Sequence, residues 1–277
     1  MVFGCSILPL PREQVLIYKT VDMAKLRMDV FNPPNHKSTD KSPCILFFHG
    51  GGWTGGKLDQ LYPHARYLSS RGMVAIGVEY RVEATHRTTP LECVKDAKSA
   101  FRWVRKNAEQ LGIDPEKVVG CGASAGAHIV AVAGSTDGLD EEGEDTTISA
   151  RPDAMVLFNP VLSTGTNGYG YDRVKDYWKE ISPIHNISEK TPPTVLFFGT
   201  EDQHIPVDLV KKYKKLMEEK GVRCDLHFYE GQPHGFFNYW KNDGKYYYKI
   251  LLEIDKFLAS LGYIEGEPTL KKITNNK

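Results

Sequence analysis

Ser124 lies in Gly122-Ala123-Ser124-Ala125-Gly126, after the apolar run of residues 117–121 and before a small apolar stretch with helical character. A serine flanked at two-residue spacing by glycines, on a turn from strand to helix, has the pattern of a nucleophile elbow. So tight a turn leaves almost no room for neighbouring side chains, and it holds the hydroxyl up at the carboxyl end of a strand. Such a serine needs a base, and the base needs an orienting carboxylate. Nine histidines are present, so position must select among them. His234 stands out in Gly231-Gln232-Pro233-His234-Gly235-Phe236, a loop just after the last strand-like run and at the same sheet end as Ser124. For the carboxylate, Gly199-Thr200-Glu201-Asp202 follows the run 194–198. Asp202 is favoured over Glu201, because its shorter arm suits a rigid hold on the imidazole. Finally, His49-Gly50-Gly51-Gly52-Trp53 directly follows the apolar run 44–48. Three consecutive glycines cost backbone entropy. Amides of Gly51 and Gly52, with that of Ala125, would form an oxyanion hole. Together these groups would perform acyl transfer through a covalent acyl-serine. His49 is expected to prop the glycine loop and His128 to be structural; nothing selects His64, His86, His185 or His204.

These residues need a scaffold that brings several strand ends to one place. Residues 15–18 and 26–31 alternate apolar and polar positions and read as an antiparallel hairpin at a sheet edge. Residues 44–48, 73–78, 117–121, 154–158, 194–198 and 225–229 are short apolar runs suited to strands buried on both faces. Helical patterns lie between them at 58–71, 91–111, 125–133, 207–220 and 246–261, several ended by glycine. This alternation from residue 44 onward predicts an α/β fold: a mainly parallel sheet of about eight strands, covered by helices on both faces. A single domain over 1–277 is expected. Residues 137–145 are acidic and read as a solvated loop. Residues 163–190, rich in Gly, Tyr and Pro, sit where a short cap or lid would overhang the strand ends.

The bulk properties narrow the function classes. Lys+Arg and Asp+Glu are both 35, so the formal net charge is zero and neither a nucleic-acid partner nor an anionic membrane surface is indicated. No apolar run approaches a membrane span, and residues 1–10 do not read as a secretory signal. The expectation is a soluble chain, either cytoplasmic or secreted with its signal removed. Five scattered cysteines form no C-x-x-C pair, and Cys44 and Cys121 in apolar runs read as buried free thiols. Zinc-ligand spacings and H-E-x-x-H are missing from the sequence, so no metal and no organic cofactor is expected.

In this order HGGGW, GASAG, GTEDQHIP and GQPHGF resemble the α/β-hydrolase superfamily over roughly residues 15–262. Within it, the chain is similar to the hormone-sensitive-lipase-like and acetylxylan/feruloyl esterase group. Phe158-Asn159-Pro160-Val161, Ile181-Ser182-Pro183 and Pro192-Pro193-Thr194 resemble the bacterial esterases of that group. Only about 40 residues precede the first buried strand, against the longer amino-terminal cap of the lipase-like branch. The resemblance implies a serine carboxylesterase acting on short acyl esters, first among them acetyl groups on a small-molecule or polysaccharide carbohydrate. Feruloyl esters come second, and kynurenine formamidase shares a related His-Gly-Gly loop, so an amidase is an alternative. A non-catalytic binding protein of this fold would be expected to lack part of the constellation. Trp53, Tyr80, Tyr169 and Trp178, with Tyr171 and Tyr177, are candidates for an aromatic rim around the substrate.

Overall fold

The computed structural model describes residues 14–270; the readings of residues 1–10 and of Cys5 fall outside them. The alternating amino-terminal segment forms an antiparallel ribbon, β1 (Gln14–Val21) and β2 (Ala24–Phe31). The apolar runs become β3 (Ser42–Phe48), β4 (Val74–Val78), β5 (Ile113–Ala123), β6 (Ala154–Phe158), β7 (Thr194–Gly199) and β8 (Cys224–Tyr229). They build one eight-stranded sheet in the order β1-β2-β4-β3-β5-β6-β7-β8. The two joins at the β1 end are antiparallel and all others parallel. The chain runs outward from β3 to β4, then returns to place β5 on the other side of β3. Open α/β sheets bind ligands outside the strand ends where the winding reverses in this way. The glycine loop leaves β3 and the Ser124 turn leaves β5, so both emerge at that reversal.

Among the described residues there are eight α-helices: α1 (Tyr62–Ser70), α2 (Glu83–His86), α3 (Pro90–Lys106), α4 (Ala108–Leu111), α5 (Ala125–Ser135), α6 (Tyr171–Val174), α7 (Val207–Glu219) and α8 (Lys245–Ser260). One core packs α3, α5 and α7 on the sheet through residues such as Phe101, Ile129 and Tyr213. The other packs α1 and α8 through Leu68, Ile254 and Phe257. The long helix expected over 91–111 is interrupted. It starts at a capping box, with Thr89 and Glu92 bonding each other's backbone amides, and ends at Asn107, whose side-chain amide donates to the Trp103 carbonyl (2.7 Å). Local side-chain bonding of this kind competes with helix continuation, and α4 follows as a single turn. Four cysteines, Cys44, Cys93, Cys121 and Cys224, are buried and free. Among the described residues no helix is long and apolar enough to cross a membrane.

The acidic segment 137–145 is not the freely solvated loop that its composition predicts. Arg102 pairs with Asp140 (2.6 Å) and Glu144 (2.9 Å), and Lys98 pairs with Asp140 (3.0 Å). Glu141 reaches Lys19 of β1 (2.7 Å) and Arg81 (2.6 Å), and both cations also bond the buried Asp96 of α3. Burial alone would raise the Glu141 pKa, but the two cations outweigh it and hold the carboxyl at about 2. Basic side chains on one face of α3 thus fold the acidic loop back, which composition could not reveal.

Burial lowers the pKa of His49, His64 and His128, most strongly the last two. His64 lies against Phe158 and Tyr247 with neither ring nitrogen bonded among the described residues, and burial lowers its pKa to about 3. His128 is lowered to about 4, burial outweighing its bond to the Ile181 carbonyl. In the unfolded chain both take up protons as pH falls through the ordinary 6.5, while the folded chain resists. Stability is therefore expected to fall as pH drops from 6.5 to about 4 and then toward 3. Urea midpoints that stay constant across that window would contradict this. Asp96→Ala would leave Lys19 and Arg81 short of their shared acceptor, and a loss of about 3–5 kcal/mol is expected in urea unfolding.

Candidate active site

Ser124 sits between β5 and α5 with φ 52° and ψ −114°, a conformation that costs a non-glycine residue about 1–3 kcal/mol. Two backbone bonds hold it: its amide donates to the Phe158 carbonyl (2.8 Å), and its carbonyl accepts from the His128 amide (2.9 Å). The glycines on either side are sterically required. A Cβ on Gly122 would lie 2.4 Å from the Gly126 carbonyl, and one on Gly126 would lie 2.2 Å from the Phe48 carbonyl oxygen. The helix thus begins in backbone contact with the end of β3, beside the glycine loop.

The loops after β7 and β8 bring Asp202 and His234 to this turn. His234 Nε2 lies 2.9 Å from Ser124 Oγ, and His234 Nδ1 lies 2.7 Å from Asp202 Oδ2. Asp202 Oδ2 also accepts from Asn159 Nδ2 (2.5 Å), and Oδ1 accepts from the amides of His204 (2.8 Å) and Ile205 (3.1 Å). Burial works against the Asp202 charge, but these donors, led by His234, hold its pKa below the usual carboxylate value. An ionised Asp202 accepts a hydrogen bond from Nδ1–H and so keeps the proton on that nitrogen, which leaves the Nε2 lone pair to accept the serine hydroxyl hydrogen. Glu201 is exposed, and its amide bonds Gln232 instead.

The loop after β3 carries three successive positive φ values, at Gly51 (132°), Gly52 (62°) and Trp53 (62°). A Cβ on Gly51 would fall 2.0 Å from the Gly55 carbonyl oxygen. Each carbonyl of the loop has an assigned donor. His49 Nδ1 donates to Gly50 O (2.7 Å), and the amides of Thr54 and Gly55 donate to Gly51 O. The amides of Gly51 and Gly52 lie in those same peptides, facing away from the bonded carbonyls, and have no protein acceptor among the described residues. Ala125 begins α5, where first-turn amides have no helical partner. Three unengaged amides and a serine with an accepting imidazole can stabilise a tetrahedral oxyanion.

The aromatic candidates separate. Trp53 and Tyr80 are 0% and 1% exposed, so neither forms an open rim. Tyr80 stacks on His49 and donates to its carbonyl (2.7 Å). Trp53 Nε1 donates to His128 Nδ1 (3.2 Å), while His128 Nε2 meets the Ile181 carbonyl (2.7 Å). Both rings are buried against the glycine loop, Trp53 from within it on a left-handed backbone (φ 62°) and Tyr80 from the segment after β4. Trp178 packs against Gly165 and His185, and Tyr177 lies near the Arg173 carbonyl. Tyr169 is partly exposed, with its hydroxyl 2.9 Å from where a Gly52 Cβ would be and its ring against Trp53 and His204. His204 in turn packs edge-on to His234 (4.8 Å between ring centres).

Several contributors were not selected from sequence. Asn159, at φ 41° after β6, braces Asp202; its place at a strand's carboxyl end was the available signal. Gln60 accepts from the Gly50 amide (2.6 Å) and donates to Asn238 Oδ1 (3.1 Å), joining the glycine loop to the segment after His234. No spacing pattern marks that pair.

A family model described as BD-FAE matches residues 28–161, and one described as the prolyl oligopeptidase family matches residues 152–259. Esterase LipC of Mycobacterium tuberculosis is 28% identical over 72% of this chain and 54% of its own length. An acetylxylan esterase of Xylanibacter ruminicola is 26% identical over 87% of this chain and 49% of its own length. The chain thus spans about half the length of these curated relatives. The apo structure of Thermogutta terrifontis esterase 2 superposes with a TM-score of 0.90 at 38% identity, covering 95% of this chain and 99% of that one. A propionate-bound form of that esterase gives 0.88 at 38% identity, over 92% and 96%. The chain belongs to the α/β-hydrolase serine esterases.

Asp202→Asn would remove the charge that sets the His234 tautomer, and a fall in esterase kcat of about 10⁴-fold is expected. Glu201→Gln is expected to stay near wild type; steady-state kinetics with the reverse pattern would assign the role to Glu201.

Proposed function

We propose that this chain is a serine carboxylesterase for short acyl esters, with Ser124 as nucleophile, His234 as base and Asp202 as its orienting carboxylate. The observation that carries the reading is the Ser124–His234–Asp202 relay beside a glycine loop whose Gly51 and Gly52 amides have no protein acceptor among the described residues. Ser124 Oγ gives its proton to His234 Nε2 and attacks the ester carbonyl. The amides of Gly51, Gly52 and Ala125 hold the oxyanion, and Asp202 stabilises the imidazolium. As the tetrahedral species collapses, His234 returns the proton to the departing alcohol, leaving acyl-Ser124. Water then attacks the same carbon with His234 again as base, releasing the acid and restoring the serine. No step in this sequence calls on a metal or organic cofactor.

An acetyl group on carbohydrate is the preferred substrate. The acetylxylan esterase of Xylanibacter ruminicola supports this, while the related esterase solved with propionate and with butyrate supports a short acyl group. Residues 163–190 would act as a short cap bordering the alcohol side, with Tyr169 facing the glycine loop. The test is a panel of p-nitrophenyl esters of graded chain length, acetylated xylan, methyl ferulate and N-formylkynurenine, run beside Ser124→Ala. Turnover is expected to be highest with acetate esters and lost in the variant. A wild type no faster than Ser124→Ala on every ester overturns the reading, and preference for methyl ferulate or N-formylkynurenine reassigns the substrate.

A further inference from the structure

Among the described residues, the carbonyl of Gly52 is the one loop carbonyl held from outside the loop by a charged group. Arg173, on α6 within residues 163–190, donates from Nη1 to Gly52 O (2.6 Å). Its Nη2 pairs with Glu83 Oε2 (2.8 Å) on α2, and its guanidinium lies over the Trp53 ring at 5.5 Å. Helix α2 is itself tied to the loop, because the amides of Glu83 and Ala84 donate to the carbonyls of Trp53 and Thr54. Arginine, glutamate and loop therefore form a closed clasp.

That bond opposes a specific relaxation. Trp53 is held left-handed (φ 62°), which an L-residue with a bulky side chain disfavours. Rotating the Gly52–Trp53 peptide by half a turn would return Trp53 to a negative φ, and Gly52 as glycine would tolerate the change. The same rotation would turn the Gly52 carbonyl away from Arg173 and swing the Trp53 amide, and it would disturb the turn in which the Thr54 and Gly55 amides hold the Gly51–Gly52 peptide through the Gly51 carbonyl. A guanidinium anchored by a carboxylate keeps the carbonyl where it is through a charge-assisted hydrogen bond.

We propose that Arg173 is a positioning residue for the oxyanion loop, locking the Gly52–Trp53 peptide and with it the left-handed loop conformation in which the Gly51 and Gly52 amides stay free for the developing charge. This role rests on the esterase reading above. It acts through the loop and without contact to the reacting atoms, so it belongs to the transition state more than to substrate binding. The test compares wild type with Arg173→Met, Arg173→Lys and Glu83→Gln, measuring kcat and KM on p-nitrophenyl acetate and inhibition by an alkyl boronic acid, a tetrahedral mimic. Arg173→Met is expected to lower kcat about 10- to 100-fold, less than outright loss of a donor. KM should change little, and boronate affinity should weaken in parallel. Arg173→Lys should recover part of the loss, and Glu83→Gln, which keeps the arginine but loosens its anchor, should show a smaller fall. Arg173 is an outlying cap residue, but if Arg173→Met does not fold, the other two variants carry the comparison. Variants with kcat within twofold of wild type, or with KM rising while kcat and boronate affinity hold, overturn the role and leave the esterase reading standing. A wild type inert toward the ester overturns both.

Discussion

Backbone-to-backbone contact between the start of α5 and the end of β3 is the constraint on which this site depends. With hydrogen as the side chain at Gly126, the first turn of the helix rests against the Phe48 and His49 carbonyls. Any Cβ there would push the helix off the strand. That one approach puts Ser124 and the glycine loop side by side, although more than seventy residues separate them in the chain. It also explains why the elbow has glycines and alanines where strand and helix would tolerate larger residues.

Around this contact, hydrogen bonds hold the triad carboxylate and the carbonyls of the glycine loop in place. Asp202 accepts four hydrogen bonds and cannot turn away from His234. His49 engages the Gly50 carbonyl and the Thr54 and Gly55 amides engage the Gly51 carbonyl, leaving the Gly51 and Gly52 amides of those two peptides without a protein acceptor among the described residues, while Arg173 holds the next carbonyl, that of Gly52. Donors already in place need no reorganisation when charge develops, which is the physical basis of oxyanion stabilisation. The strained φ values of Ser124 and Trp53 persist because the packing around them over-determines the backbone.

The scaffold uses charge differently. Lys19, Arg81, Asp96 and Glu141 bind the amino-terminal ribbon, α3 and the acidic loop into one cluster away from the serine. The chain carries no net charge, yet its charges are strongly paired in space, and the acidic segment is folded back as a result.

The sequence by itself determined the layout and singled out the candidate chemistry-bearing residues. Ser124, the glycine loop, Asp202 and His234 could be read because a tight turn, a bare-amide loop and post-strand positions each demand particular residue types at fixed local spacing. The strand runs were legible because burial on both faces leaves an uninterrupted apolar signature. Only the tertiary structure decided which side chains support that set. Asn159, Gln60, Asn238 and Arg173 act across long sequence separations, and polar residues of these types leave no periodic trace. It also decided that Trp53 and Tyr80 lie beneath the loop while Tyr169 lies above it. The direction of an aromatic ring follows from the local backbone twist and the neighbours packed against it, and a left-handed Trp53 turns inward for reasons that only the folded loop contains.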